Sequence, residues 1–283
     1  MAALGRPAYI TAGRGRDLGP DRSVEDLRAR TALVLDAAYE AGVRYLDCAR
    51  SYGLSERFLA AWLQSRPRVT DVTIASKWGY RYVGDWRADA DVHEVKDHTV
   101  EAFTAQLAET RAELGNRLDA YQIHSLTPES PALTDATLHR RLAGLREDNM
   151  RVGFSTSGPR QGEAIRRALD LSVDGQPLFT LVQSTWNLLE TSAGPALGDA
   201  ADAGLTVVIK EALANGRLAP GTRDTHPAVG AASRVASQLG VPLDQLALAA
   251  ALHQSWASRV LSGAVTPEQV TSNAASESVL IPD

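Results

Sequence analysis

The chain has 283 residues, 44% of them hydrophobic and 22% charged, with a formal net charge of −5. That length holds a sizeable core in one large α/β barrel or two ordinary domains, and Lys and Arg interspersed with Asp and Glu give no basic field for nucleic acid or an anionic membrane. A single cysteine, Cys48, excludes an internal disulfide framework and a cysteine-based metal cluster and fits a cytoplasmic setting; the histidines lack metal-ligand spacing and no apolar run reaches a membrane span.

In chain order, helices are predicted at about 23–41, 54–65, 95–115, 132–147, 159–171, 192–203, 228–239, 243–256 and 267–277. Between them lie short runs at 45–47, 72–77, 120–124, 152–155, 181–184, 206–210 and 259–263, each apolar on its way in and polar or small at its exit. No Pro/Ser-rich linker interrupts them, so residues 1–283 read as one domain. Seven βα units in succession predict a parallel sheet flanked by helices, and their number favours an α/β (β/α)8 TIM barrel over an open doubly wound sheet. The Gly-rich fingerprint of the dinucleotide-binding open sheet is also absent.

In such a barrel the carboxyl ends of all strands meet on one rim. The polar exits Asp47, Lys77 and His124, with Tyr52 in the loop beyond Asp47, are thereby brought to one cleft. A phenol has a pKa near 10; a neighbouring ammonium stabilises its charged form, a carboxylate holds that ammonium, and an imidazole orients a carbonyl oxygen. Cys48 reads as a small packing residue beside Asp47.

With these residues the chain resembles the aldo-keto reductases over nearly its whole length. The family pattern Gly-x-Arg-x-x-Asp-x-Ala-x-x-Tyr-Gly is met by Gly42, Arg44, Asp47, Ala49, Tyr52 and Gly53, with Lys77 ending the next strand and His124 the one after. The resemblance implies Tyr52 as general acid, Lys77 and Asp47 as the pair that lowers its pKa, His124 as the group that seats the carbonyl, and hydride from a reduced nicotinamide. It implies further that Ser155 and Thr156 lie at the carboxamide and Gln183 under the ring. Lys210 stands where an aromatic residue commonly stacks, and Leu213, Gly216 and Arg217 form a pyrophosphate loop. Ser262, Gly263, Gln269 and Asn273 lie at the adenosine end. NADP-preferring members commonly carry Lys or Arg at the positions of Gly263 and Gln269; NADPH is expected by family habit, with NADH close behind.

The beginning of the chain departs from the family. Relatives start with a hairpin lid and a first strand ending in Gly-x-Gly-Thr; this chain starts Met1-Ala2-Ala3-Leu4-Gly5, so the first strand is expected to be shortened, missing, or supplied by residues 7–11. The loop at 79–99 with Tyr80, Tyr82 and Trp86, beside Trp78, reads as an aromatic wall for a small carbonyl substrate, with Trp186 adding to the rim on the sixth-strand side. Two other activities fit the same residues: a non-redox or regulatory barrel with weak or no nucleotide binding, and an NAD-dependent sugar or alcohol dehydrogenase.

Overall fold

The structure is a computed structural model that describes residues 1–8 and 15–281. Its centre is a curled parallel sheet of seven strands in chain order: β1 (Tyr45–Asp47), β2 (Thr73–Trp78), β3 (Ala120–Leu126), β4 (Arg151–Thr156), β5 (Leu181–Thr185), β6 (Thr206–Lys210) and β7 (Arg259–Val260). Around it run α1 (Val24–Glu40), α2 (Ser55–Gln64), α3 (Val100–Leu114), α4 (Ala136–Gly144), α5 (Gln161–Leu169), α6 (Gly194–Asp202), α7 (Pro227–Leu239), α8 (Leu243–Leu252) and α9 (Pro267–Ala274). The helices begin where their sequences carry caps: Ser23, Thr99, Asp135 and Thr266 each accept a backbone N–H of the first turn. Pro227 and Pro267 occupy the first helical position, where no donor is lost.

Parallel register decides which side chains share a face. Tyr45, Asp47, Thr73, Ala75, Lys77, Ala120, Gln122, Gly153, Ser155, Leu181, Gln183, Val208 and Arg259 are linked by successive pairings and by alternation, so they fall on the concave side. Ala75, Ala120, Leu181 and Val208 form a small packed layer there, with Tyr45 and Leu261 at its margin. The alternate residues Leu46, Ile74, Trp78, Tyr121, Ile123, Val152, Phe154, Val182, Val207 and Ile209 face the helices and make the main core.

The family resemblance anticipates a barrel with its first strand missing, and the fold agrees. The sheet's edges are β1 and β7, which no described strand bridges. Pro7 and Ala8 are not in a strand, and the remainder of the candidate strand, residues 9–11, lies outside the described residues. Residues 1–6 instead run beside β1: the Met1 amino group donates to the Asp47 carbonyl at 2.8 Å, and Leu54 N–H to the Gly5 carbonyl at 2.7 Å. Gly5 is required by this approach, since a Cβ there would sit 2.1 Å from the Tyr52 carbonyl oxygen. Gly53, at φ +62, faces the Gly5 carbonyl from the other side, 2.4 Å from a built Cβ.

Among the predicted elements whose bounds differ, two bear on the rim. The helix predicted at 95–115 begins only at Val100, because 94–96 pair antiparallel with Tyr80–Tyr82 in a hairpin that replaces the expected loop. The last strand stops at Val260, where its only described neighbour is β6.

Candidate active site

β1, β2, β3 and β5 deliver Asp47, Lys77, His124 and Gln183 to the C-terminal rim. Lys77, fully buried, donates to Asp47 Oδ2 at 2.5 Å, and Gln183 Nε2 donates to Asp47 Oδ1 at 2.9 Å. Both carboxylate oxygens are thus committed, which fixes the ammonium beside the Tyr52 ring, 5.1 Å from its centroid. His124 meets the same ring edge-on at 5.5 Å, and Tyr80 meets the imidazole from the far side at 5.1 Å. Tyr52 lines the cavity, and no described residue hydrogen-bonds its hydroxyl.

The imidazole is held from behind. His98 Nε2 donates to the His124 carbonyl at 2.8 Å, its Nδ1 meets the Ser130 hydroxyl at 2.6 Å, and His124 Nδ1 faces Ser51 Oγ at 3.3 Å. Burial pushes His124 well below the usual imidazole range, with Lys77 and Lys210 adding repulsion, and takes His98 down to about 4; both rings are neutral at pH 7. The phenol corrects an expectation. Burial, reinforced by Asp47, raises Tyr52 well above its ordinary value, whereas Arg6 pulls it down. Lys77 is hydrogen-bonded to Asp47 rather than to the phenol, and burial of the ring is the largest influence. Burial likewise pushes the Cys48 thiol up to about 12, consistent with an inert packing residue.

Arg6 is a cleft residue that the sequence did not reveal. Its guanidinium donates to the Ser51 carbonyl at 3.0 Å, pairs with Glu94 at 3.1 Å and lies 5.5 Å from the Tyr52 ring centroid. Only spatial neighbours distant in sequence define its role, so no local motif marks it. Gln122 was equally silent: on the concave face beside Lys77, it is fully buried with no partner for either amide atom.

The cavity that starts at this rim has a volume of about 790 Å³ and extends along the β1–β7 seam to the N-terminal ends of α8 and α9. Among the anticipated cofactor residues, Gln183, Lys210, Leu213, Gly216, Ser262, Gly263, Gln269 and Asn273 line it. Lys210 is bound to Thr185 Oγ1 at 2.7 Å and Glu211 Oε1 at 2.8 Å. Asn273 donates to Ser262 Oγ at 2.7 Å, and Gln269 accepts from Val265 N–H at 2.8 Å.

Other positions are corrected by alternation and local pairing. Ser155 Oγ accepts the Ser125 N–H, and Thr156, on the helix-facing side, bonds Ser184 and Gln161; neither lines the cavity, whereas Ser157 does. Arg217 turns to Asp224 at 2.5 Å. The N–H groups of Ala214 and Gly216 already serve the carbonyls of Glu211 and Leu213. Trp78 is the parity neighbour of Lys77, so it is buried in the outer core against Phe103 and His98. Trp86 packs on Phe58 and donates to the Arg22 carbonyl, and Trp186 is buried against Trp256. Tyr82 accepts the Trp86 N–H at 3.1 Å, and of the five anticipated aromatic residues Tyr80 is the one whose ring meets that of His124. Among the described residues no group of three or more His, Cys, Asp or Glu is placed to hold a metal, and no single helix is long and apolar enough to cross a membrane.

Comparison with known proteins agrees with the fold. The chain is 27% identical over 280 residues to a D-threo-aldose 1-dehydrogenase from a Pseudomonas species, covering 88% of this chain and 83% of that one. A glycerol dehydrogenase structure from Gluconobacter oxydans superposes with a TM-score of 0.71 at 20% identity, covering 96% and 90% of the two chains. The holo form of an aldo-keto reductase from Bacillus halodurans gives 0.71 at 19%, covering 94% and 86%. Residues 17–283 match the model of the aldo/keto reductase family, and the chain belongs to that family of oxidoreductases.

Proposed function

We propose that the protein interconverts a small carbonyl compound and its alcohol with a nicotinamide dinucleotide, Tyr52 giving the proton in the reducing direction. The observation that carries this reading is the Tyr52 phenol, without a hydrogen-bond partner among the described residues, on the cavity wall between the Asp47–Lys77 pair and His124.

The residues present fit such a cofactor. The cavity is of the size that holds small ligands and cofactors, and its lining includes the polar side chains of Gln183, Lys210, Gln269 and Asn273. Gln183, Lys210, Gly263, Gln269 and Asn273 would hold the dinucleotide, which when bound supplies a hydride to the carbonyl carbon. As negative charge develops on the carbonyl oxygen, Tyr52 donates its proton there. The burial that raises the phenol's pKa keeps the donor form filled at neutral pH. With Nδ1 of the neutral His124 facing Ser51, Nε2 is the nitrogen left to donate to the same oxygen. Lys77, neutralised by Asp47, supplies a fixed positive end beneath the phenol as charge moves onto it.

Relatives named for aldose and glycerol oxidation support a hydroxylated substrate class and turnover in the oxidising direction. The two directions differ in pH dependence. Reduction uses the protonated phenol and will fall at alkaline pH; oxidation needs the phenolate and will rise there. Nicotinamide absorbance with a panel of aldehydes, aldoses and polyols tests the reading. Tyr52→Phe is expected to lower kcat by on the order of 10²–10⁴-fold with the fold intact; unchanged turnover in that variant would remove the proposal.

A further inference from the structure

Arg6 and Glu94 stand together on the cavity wall beside Tyr52 and His124, and neither side chain is used up by the other. The clasp of Gly5 on the Tyr52 turn fixes where Arg6 starts, and its side chain is 5% exposed. Of the five guanidinium N–H donors, the two on Nη1 are spent, on the Ser51 carbonyl at 3.0 Å and on Glu94 Oε2 at 3.1 Å. Nε is sealed in the wall without a partner; Nη2, which is not sealed, bonds no described residue. Glu94 arrives from the other side, on the hairpin of residues 80–82 and 94–96. That hairpin is fixed to the rim by the Tyr80 ring on His124 and by Lys96, which donates to the Ser125 carbonyl at 2.7 Å. The Glu94 side chain is 26% exposed, and no described residue donates to its Oε1. Fastening the hairpin accounts for the bond between Nη1 and Oε2, but not for a spare donor and a spare acceptor placed side by side in a cavity wall.

We propose that Arg6 and Glu94 determine substrate specificity: Arg6 Nη2 donates to, and Glu94 Oε1 accepts from, a hydroxyl on the carbon next to the reacting carbonyl. The preferred substrates are then neutral α-hydroxy carbonyl compounds and, in the oxidising direction, vicinal diols. This rests on the function proposed above. The guanidinium lies 5.5 Å from the centre of the Tyr52 ring, so a substrate whose oxygen meets the Tyr52 hydroxyl brings its nearest substituent to the pair. A hydroxyl donates and accepts through a single oxygen, which matches a donor and an acceptor standing together. A methyl in that place leaves the half-used guanidinium without an acceptor. A carboxylate meets the negative charge of Glu94 at close range.

The test is steady-state reduction, by the full chain, of three aldehydes that differ only in the group on the carbonyl: glycolaldehyde, acetaldehyde and glyoxylate. Glycolaldehyde is expected to exceed each of the others in kcat/KM by at least about 100-fold. Glu94→Gln removes the charge and keeps an oxygen acceptor, and is expected to raise glyoxylate relative to glycolaldehyde about tenfold. Arg6→Met is expected to bring glycolaldehyde to within about threefold of acetaldehyde. A pair that only fastens the hairpin predicts the same proportional loss on all three substrates in both variants, and that result overturns the inference. Equal kcat/KM for glycolaldehyde and acetaldehyde in the wild-type protein overturns it too and leaves the proposed function standing. Absence of nicotinamide-dependent turnover with these three and with the wider panel overturns both. The wild-type comparison needs no variant, so the inference stays testable if Arg6→Met does not fold.

Discussion

The two ends of the cavity are built on opposite plans. At the rim every charged group has an internal partner: Asp47 is bound by both Lys77 and Gln183, Arg6 joins Glu94, and His98 braces the backbone of His124. At the remote wall the one buried carboxylate, Asp244, is anchored through a single oxygen. A site that must present a proton donor in one orientation gains from over-determination. At the other wall the Asp244 Oδ1 is left outside any such pairing among the described residues. The difference separates residues that hold themselves from residues that need company.

The contrast breaks most visibly at Asp47. Asp47→Asn leaves a fully buried ammonium without its counter-charge, and unfolding by denaturant should show a loss of about 3–5 kcal/mol together with a collapse of kcat. An unchanged unfolding midpoint would mean that the rim is not self-supporting.

Acid provides the next test. His98 in the folded protein titrates at about 4 against an ordinary 6.5, so between those values the unfolded chain binds the extra proton and stability falls as pH falls. The loss from this residue approaches about 3 kcal/mol near pH 4. His124, depressed in the same direction, adds to it. Denaturant titrations across that range should be shallower in pH for His98→Gln; an identical slope would show that the ring is not buried neutral.

Gly5→Ala probes the clasp that holds the Tyr52 turn. The new methyl must displace the Tyr52 backbone, at a cost of about 1–3 kcal/mol, and kcat should fall with little change in cofactor affinity. At the other end the effect on stability should be smallest: Asp244→Asn is expected to stay within about 1 kcal/mol of wild type, since the oxygen it replaces bonds nothing in the protein. A large destabilisation there would make Asp244 structural and erase the contrast.

The readable parts of the sequence were those with a period or a fixed spacing. Seven strand exits and the helices between them emerge from alternation and caps, and Asp47, Lys77 and His124 follow because a parallel barrel collects strand ends. Parity within a strand was also available and went unused: Trp78 is one residue past Lys77 and Thr156 one past Ser155, so each belongs to the opposite face. Arg217 follows a different rule, captured by a carboxylate seven residues on. No local pattern marks Arg6, since its partner Glu94 is 88 positions away on a hairpin whose sequence carries no clear strand signal. The phenol's raised pKa was hidden as well, because it depends on how much water the folded cleft excludes.

The contact of Gly5 with the turn at Tyr52 and Gly53 gives this one glycine an influence on chemistry that its own atoms do not touch. A change there would register in a kinetic assay as damage to the proton donor, although no atom of that residue would be expected to meet the reacting oxygen. In a survey of variants, Gly5 will therefore behave as part of the catalytic apparatus.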